Sequence, residues 1–515
     1  MSVDERAVAD EGAVGDERAV GDERAAPMVA RAPLRLRPDA RRVITVPFVP
    51  GEEMPSGDSR AASVAERILA MDDAAVTATL ADVRRRFAHR HRDLEATWKD
   101  NFALAARHFA KGDDVPADRA LLIGAYFTRE VSVEAAALFN PSLVAHPDQS
   151  GLAVGETRFV MSLRAVGEGH ISAIEFRTGI IDGAGGARLD DPGAWLQRGR
   201  VSAGPYERHL FHAKLAESGC DNNAAALILD RLADHFGATE LDTAIAELHP
   251  DLLSRAAVRN TVERIRWVAA NNYTVEFPAR TTISERVLWP HGSTELHGME
   301  DARFVRFVDD DGTVGYLATY TAFDQSLVAP QLLSTTDFAT FVVSQLSGPY
   351  ATNKGLALFP RKVGGQYMAL SRWDRERLAL TVSDDGSDWD AATTLDIPPR
   401  PWDLVQMGNC GSPLETPEGW LVLTHGVGPM RSYAIGAVLL DLDDPCRVIG
   451  TLPGPLVVAN KEEREGYVPN VLYSCGALLH NGDLVLPYGF SDSAVGFALV
   501  DMAELVGRLA PAAPR

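Results

Sequence analysis

The run Glu295-Leu296-His297-Gly298-Met299-Glu300-Asp301-Ala302-Arg303-Phe304 gathers carboxylates, an imidazole and a guanidinium just ahead of an apolar stretch. In an extended segment, adjacent side chains point to opposite sides, so only one of Glu300 and Asp301 is expected to face a common pocket. The pattern does not say which. A carboxyl buried against apolar walls would have a raised pKa, as a general acid needs to protonate a leaving oxygen. A turn salt bridge to Arg303 is the competing reading. A second group is cationic: Asn353-Lys354, Arg361-Lys362 and Arg372 flank the apolar stretch from Leu356 to Pro360. Converging Lys and Arg side chains suit an oxyanion or phosphate, whereas scattered ones only keep a surface soluble. Thr424-His425-Gly426-Val427-Gly428 follows a Leu-rich strand, near Gly408-Asn409-Cys410-Gly411. His425 is either a ligand contact or a core histidine satisfied by a carbonyl. Glu465, Tyr467 and Asp492 supply the carboxylates and aromatic face that sugar recognition uses, and each is also ordinary loop chemistry. No dinucleotide fingerprint, phosphate loop, nucleophile elbow or HExxH zinc motif is credibly placed. His146 with Asp148, and His291 with His297, lack the spacing of a zinc site, so neither metal nor cofactor is expected.

These groups must be positioned by a chain of 515 residues, 46% hydrophobic and 23% charged, enough for a substantial core. Fifty Lys and Arg against 71 Asp and Glu give a net charge of -21, which disfavours a nucleic-acid partner. Four cysteines without a CxxC pair indicate neither a disulfide framework nor a zinc knuckle. Without a leader pattern or an apolar run of membrane length, a cytoplasmic protein with no membrane contact is expected. Residues 1–30 repeat Asp-Glu-Arg-Ala and are expected to be a disordered acidic tail. Residues 31–120 are expected to be a helical extension, on the helical spacing from Val64 to Leu104, with Arg84 to Arg92 as a solvated basic face. Residues 121–179 then read as a first β-propeller blade, 180–278 as a helical insertion, and 279–510 as four further blades. The insertion rests on two helical patterns, Phe211 to Phe236 and Leu252 to Ala270. A weak repeat supports the blades: Ser334-Thr335-Thr336-Asp337 and Ser383-Asp384-Asp385-Gly386 lie ~49 residues apart. The fold class is therefore mainly β, a five-bladed propeller with an N-terminal helical extension and a helical insertion after the first blade. A two-sheet sandwich would show similar alternation.

Taken in order, the motifs resemble glycoside hydrolase family 130, the inverting β-mannoside phosphorylases and β-mannosidases. Phe139-Asn140-Pro141, Ser162 to Arg164, Gly298 to Arg303, Asn353-Lys354 with Leu358-Phe359-Pro360, Gly419-Trp420-Leu421 with His425-Gly426-Val427, and Gly466 to Val471 carry the likeness. The resemblance implies a five-bladed propeller binding sugar at its axial end. It implies that Asp301 is the general acid, acting through a hydroxyl of the bound mannose. Inorganic phosphate would be the co-substrate and nucleophile, held by Lys354, Arg372 and His425, with Arg164 a further candidate. Asn140, Glu300, Arg303, Asn353, Glu465, Tyr467 and Asp492 are the candidate sugar contacts. Hydrolytic members use a carboxylate base instead, for which Glu415, Glu463 and Glu465 are candidates. Two departures stand out: Ala302 occupies a position that is usually Pro, and the helical segments exceed what the family needs. They could cover the pocket or build a homo-oligomer interface. The expectation is phosphorolysis of an oligosaccharide β-mannoside, with hydrolysis, a non-catalytic sugar-binding propeller or a helical interaction scaffold as alternatives.

Overall fold

The computed structural model describes residues 28–51, 59–109, 114–324 and 328–511. The fold is mainly β; among the described residues the α-helices fall in two stretches, 60–126 and 208–270, and in one short segment, Met502–Arg508. Most strands join in antiparallel meanders. Ala137–Ala145, Thr157–Val166 and Ser172–Ile181 form one run. Gly298–Val308, Val314–Phe323, Val328–Thr335 and Thr340–Gln345 form another. A single parallel register point, Gly298 opposite Ser172, joins the two runs. Ala357–Leu358, Tyr367–Ser371, Ala379–Ser383 and Ala391–Thr394 make a separate sheet. Gln406–Asn409, Gly419–Val427, Tyr433–Leu440 and Val448–Thr451 make the next. The last holds Leu472–Tyr473, Asp483–Phe490 and Ala494–Asp501. Many of these strands are buried on both faces, as in Gly419–Val427, where every residue is buried.

The expected disordered tail, residues 1–30, lies outside the described residues as far as residue 27, and its last two residues, Val29 and Ala30, are in a strand. Val29–Leu36 is a strand that adds to the edge of Ala494–Asp501, with Val29 opposite Val500. Arg31 and Arg35 reach the buried Glu463 at 3.2 and 3.7 Å, and Tyr488 donates to the same carboxylate at 2.6 Å. The helical extension also needs correcting, because Val43–Pro47 is a strand paired with Thr128–Ser132 and the helices start only at Arg60.

Ser59 and Asp72 cap Arg60–Leu69 and Asp73–Phe87, accepting from Ala62 N and Ala75 N. Leu94–Ala105 and Ala117–Tyr126 meet backbone to backbone at Gly124, where any Cβ would lie 1.9 Å from the Trp98 carbonyl oxygen. The Arg84 to Arg92 run is a solvated face only in its first part, where the side chains of Arg84, Arg85 and Arg86 are exposed. Arg90 and His91 bind Glu130 at 2.8 and 2.7 Å, and Arg92 binds Glu285 at 2.6 Å, so part of it ties the helices to the strands.

Between Ile181 and Gly298 the pattern from Phe211 to Phe236 is not one helix. Arg208–Glu217 ends at Gly219, and Asn222 caps a second helix, Asn223–Leu229, by accepting from Ala224 N and Ala225 N. Ala238–Ala246, Pro250–Leu253 and Ala256–Ala270 complete a helical core of their own around Phe211, Ile228 and Ile265. The flanks of this stretch are strands: Tyr273–Glu276 pairs with Thr340–Gln345 and with Arg200–Ala203.

Candidate active site

Phe139 to Arg164, Gly298 to Arg303, Asn353 to Arg372, Gln406 to His425 and Tyr473 converge through side-chain contacts. At the centre, Asn140 donates to Asp301 Oδ1 at 2.6 Å. Arg164 bridges both acids, with Nη2 2.6 Å from Glu300 Oε1 and Nη1 3.3 Å from Asp301 Oδ1. The expectation that only one of the two could face the pocket is therefore wrong. Asp301 has φ +55° and the ladder to Val314–Phe323 is bulged between Glu300 and Arg303, so the alternation of an extended strand is broken there. Asn140, also at positive φ, sits in a matching irregularity between Phe139 and Ser142. Strained backbone at both partners of one hydrogen bond is typical of a functional site.

Arg164 is oriented from behind: Nε donates to Ser172 Oγ at 2.9 Å and the guanidinium lies 5.1 Å from the Phe139 ring centre. Lys354 Nζ reaches Glu300 Oε2 at 2.5 Å. Arg303 does not bridge to the Asp301 carboxylate. It donates to the Asp301 backbone carbonyl at 2.8 Å and to Tyr473 Oη at 2.9 Å. Asn353, at φ +64°, donates to the Arg372 carbonyl at 2.9 Å and so fixes that residue's backbone.

Charge decides protonation here. Burial opposes ionisation of Asp301, but Arg164, Arg303, Lys354 and the Asn140 hydrogen bond outweigh it and hold the carboxyl at about 2. The raised pKa expected of a buried acid falls instead on Asp492, which burial and the nearby Asp301 charge push up to about 6. His425 is held down to about 3 by burial and by Arg372, so its ring is neutral. Its Nδ1 lies 3.2 Å from the Asn409 carbonyl, which can only accept, leaving Nε2 as an acceptor facing the Gln406 amide nitrogen at 3.5 Å. A neutral imidazole in this tautomer is not a cationic member of a phosphate clamp.

Arg372 is the conspicuous cation. Burial depresses its pKa, and its Nε and Nη1 atoms are buried with no hydrogen-bond partner among the described residues. Arg303 Nε, Asn140 Oδ1 and Asn409 Oδ1 are likewise buried and unpartnered. Orphaned buried donors and acceptors are rare and costly, and several in one cluster point to a polar ligand that satisfies them.

Some expected residues do not join this group. Glu465 is exposed, and Tyr467 is 56% exposed and bonds His170 Nδ1 at 3.2 Å. Of the candidate bases, Glu463 is committed to Arg31, Arg35 and Tyr488, and Glu415 to Arg361 at 2.6 Å. Tyr473 and Gln406 were not anticipated. Tyr473 lies two positions beyond the Gly466 to Val471 motif, which was the available signal.

The family model described as β-1,4-mannooligosaccharide phosphorylase matches residues 255–510. A 1,2-β-oligomannan phosphorylase from Thermoanaerobacter sp. (strain X514) is 32% identical over 215 residues, 41% of this chain and 71% of that protein. The chain belongs to glycoside hydrolase family 130. A β-1,2-mannobiose phosphorylase from Listeria innocua serovar 6a is 29% identical over 44% of this chain and 65% of its own length. The crystal structure of a Listeria innocua β-1,2-mannobiose phosphorylase bound to β-1,2-mannobiose covers 74% of this chain and 93% of its own, at 21% identity and TM-score 0.45. Asp301, Lys354, Arg372 and His425 fall within the residues matched to family 130, whereas Asn140 and Arg164 precede them.

Proposed function

We propose that this protein phosphorolyses β-mannosides with inversion, releasing α-mannose 1-phosphate. The observation that carries this reading is the pair of buried, unpartnered N–H groups on Arg372 in a cluster that also holds Lys354, Arg164 and the acid Asp301. A phosphate oxygen attacks C1 from the face opposite the leaving oxygen. The C1–O bond to the leaving sugar breaks as the new C1–O–P bond forms. The leaving oxygen takes a proton from a mannose hydroxyl, which is resupplied by Asp301. Arg372 and Lys354 hold phosphate, while Arg164 and Asn140 orient Asp301. Glu300, Arg303, Asn353 and Asp492 shape the sugar and phosphate sites, Glu465 and Tyr467 belong at most to the outer rim, and His425 positions Gln406 rather than donating charge.

Among the protein's own charges, Asp301 is ionised. A bound phosphate dianion offsets the same cations that depress its pKa, so the nucleophile's arrival favours protonation of the acid. The related phosphorylases named above support phosphorolysis, as does the commitment of Glu415 and Glu463 to other partners. We read the meanders within 137–189, 298–345, 357–394, 406–458 and 472–501 as five propeller blades, with the helical stretch between the first two as an insertion. A product trapped by its phosphate suits a cytoplasmic enzyme.

The ionised Asp301 also suits a non-catalytic sugar-binding propeller, in which a carboxylate accepts from sugar hydroxyls. Incubating the protein with β-1,2- and β-1,4-mannobiose, with and without phosphate, separates these readings. Mannose 1-phosphate formed only with phosphate is the expected result. Free mannose regardless of phosphate indicates hydrolysis, and binding without turnover indicates the lectin-like reading.

A further inference from the structure

A second cleft, of about 640 Å³, lies where Val43–Pro47, the helix Leu94–Ala105 and the strands Gln197–Arg198 and Tyr273–Glu276 meet. Its size is in the range of small-molecule sites. None of its lining residues is among those assigned to the candidate active site.

Its basic side chains differ in kind. Arg92 is bound to Glu285 and stacked over Trp195, and Arg280 is paired with Asp93. Arg200 is exposed and 3.8 Å from Glu276. Arg198 has no such partner. Its one hydrogen bond goes to the Thr45 carbonyl at 3.3 Å, and among the described residues no carboxylate lies within ion-pair distance. Burial alone acts on its pKa, downward, with no nearby negative charge offsetting it. Beside it, Gln197 Oε1 is buried without a partner among the described residues. A desolvated, unpaired guanidinium is costly in any protein, and notable in one with a net charge of -21. The rest of the wall is mixed: Ile44, Leu104, Leu196 and Phe277 form an apolar part, and Thr97, Asn101, Asp100 and Glu276 a polar one.

We infer that this cleft binds a phosphorylated small molecule, its phosphate taken by Arg198 and its organic part lying against Ile44, Leu196 and Phe277. Arg offers phosphate a planar bidentate fork, which fits a dedicated anion contact better than a general surface charge. Two sources share this chemistry, a sugar phosphate and a nucleotide. The site is separate from the phosphate of the reaction, so it stands whether or not the chain is a phosphorylase.

Calorimetric titration of the full chain with AMP, glucose 6-phosphate and adenosine tests this. At least one of the two phosphorylated probes should bind, and adenosine should not. Binding should be unchanged in Lys354→Ala, should weaken tenfold or more in Arg198→Leu, and should weaken by a smaller factor in Arg198→Lys, which keeps the charge without the fork. The tighter of the two phosphorylated probes identifies the source. The inference is overturned if neither probe binds at concentrations up to about 10 mM, if adenosine matches AMP, or if both Arg198 variants bind like the wild type. Loss of binding in Lys354→Ala would also overturn it, by placing the probe in the active site. Arg198→Lys keeps the test decisive if Arg198→Leu fails to fold.

Discussion

Replacing Arg372 by Met should separate function from stability, with opposite signs. The substitution keeps an unbranched chain along the same path and leaves intact the hydrogen bond from Asn353, which goes to the backbone carbonyl. It removes Nε and Nη1, two donors buried without partners among the described residues. Each hydrogen bond to a charged group contributes about 1.5–3 kcal/mol. Two such bonds to phosphate amount to roughly 3–6 kcal/mol, or about 10²- to 10⁴-fold in kcat/KM for phosphate. In the unliganded protein the same two groups cost about 1 kcal/mol each at the lower end of the desolvation range, so Arg372→Met should raise Tm by roughly 2 °C. The assay is initial-rate release of mannose 1-phosphate against phosphate concentration, paired with thermal melts in phosphate-free buffer. A variant whose phosphate dependence stays within about threefold of the wild type, or whose Tm falls, refutes the assignment of Arg372 as a preorganised phosphate donor.

Asp301→Asn should lower turnover on order of 100-fold or more while phosphate still binds, measured by rate and by calorimetry; full turnover would remove Asp301 from the reaction. Gly408→Ala should raise KM for phosphate with little change in fold, because its Cβ would lie 2.6 Å from His425 Cε1 and 3.3 Å from Arg372 Cδ; steady-state kinetics and circular dichroism check this. For Asp492, a folded-state pKa of about 6 lies above the ordinary carboxyl value, so its contribution favours the fold at low pH and is lost as pH rises towards and through 6. Asp492→Asn should therefore raise Tm at pH 8 but not at pH 4, and equal gains at both would show that ionisation is not the cause. Glu463→Gln leaves Arg31 and Arg35 short of their buried counter-charge. Hydrogen exchange should then speed up in Val29–Leu36 first, and unchanged protection there would contradict the anchoring role.

Local pattern made much of this legible. The order of short motifs grouped Asp301 with Lys354, Arg372, His425 and Arg164 through the family resemblance it carries, and the structure joins Arg164 to Asp301 and Lys354 to Glu300. What the pattern could not carry was backbone geometry. The bulge and positive φ at Asp301 turn two adjacent acids to one side, and strict alternation gives no warning of that. Protonation was equally hidden: a buried acid alone reads as raised, and only the positions of Arg164, Arg303 and Lys354 reverse the sign. The first strand was obscured by the low-complexity run before it, since its partner Ala494–Asp501 stands at the far end of the sequence. Glu463 read as a free carboxylate for the same reason, because its cationic partners come from that strand.

That pairing also imposes an order of events during synthesis. Val29 must wait for Val500, about 470 residues later, which at ribosomal rates of about 5–20 residues per second takes roughly half a minute to a minute and a half. Throughout that interval the segment is an open edge carrying Arg31 and Arg35, with Arg37 just beyond it, three positive charges that discourage pairing with other nascent chains. Two of those arginines later close on Glu463. The same side chains thus guard the edge while it is unpaired and fasten it once its partner arrives.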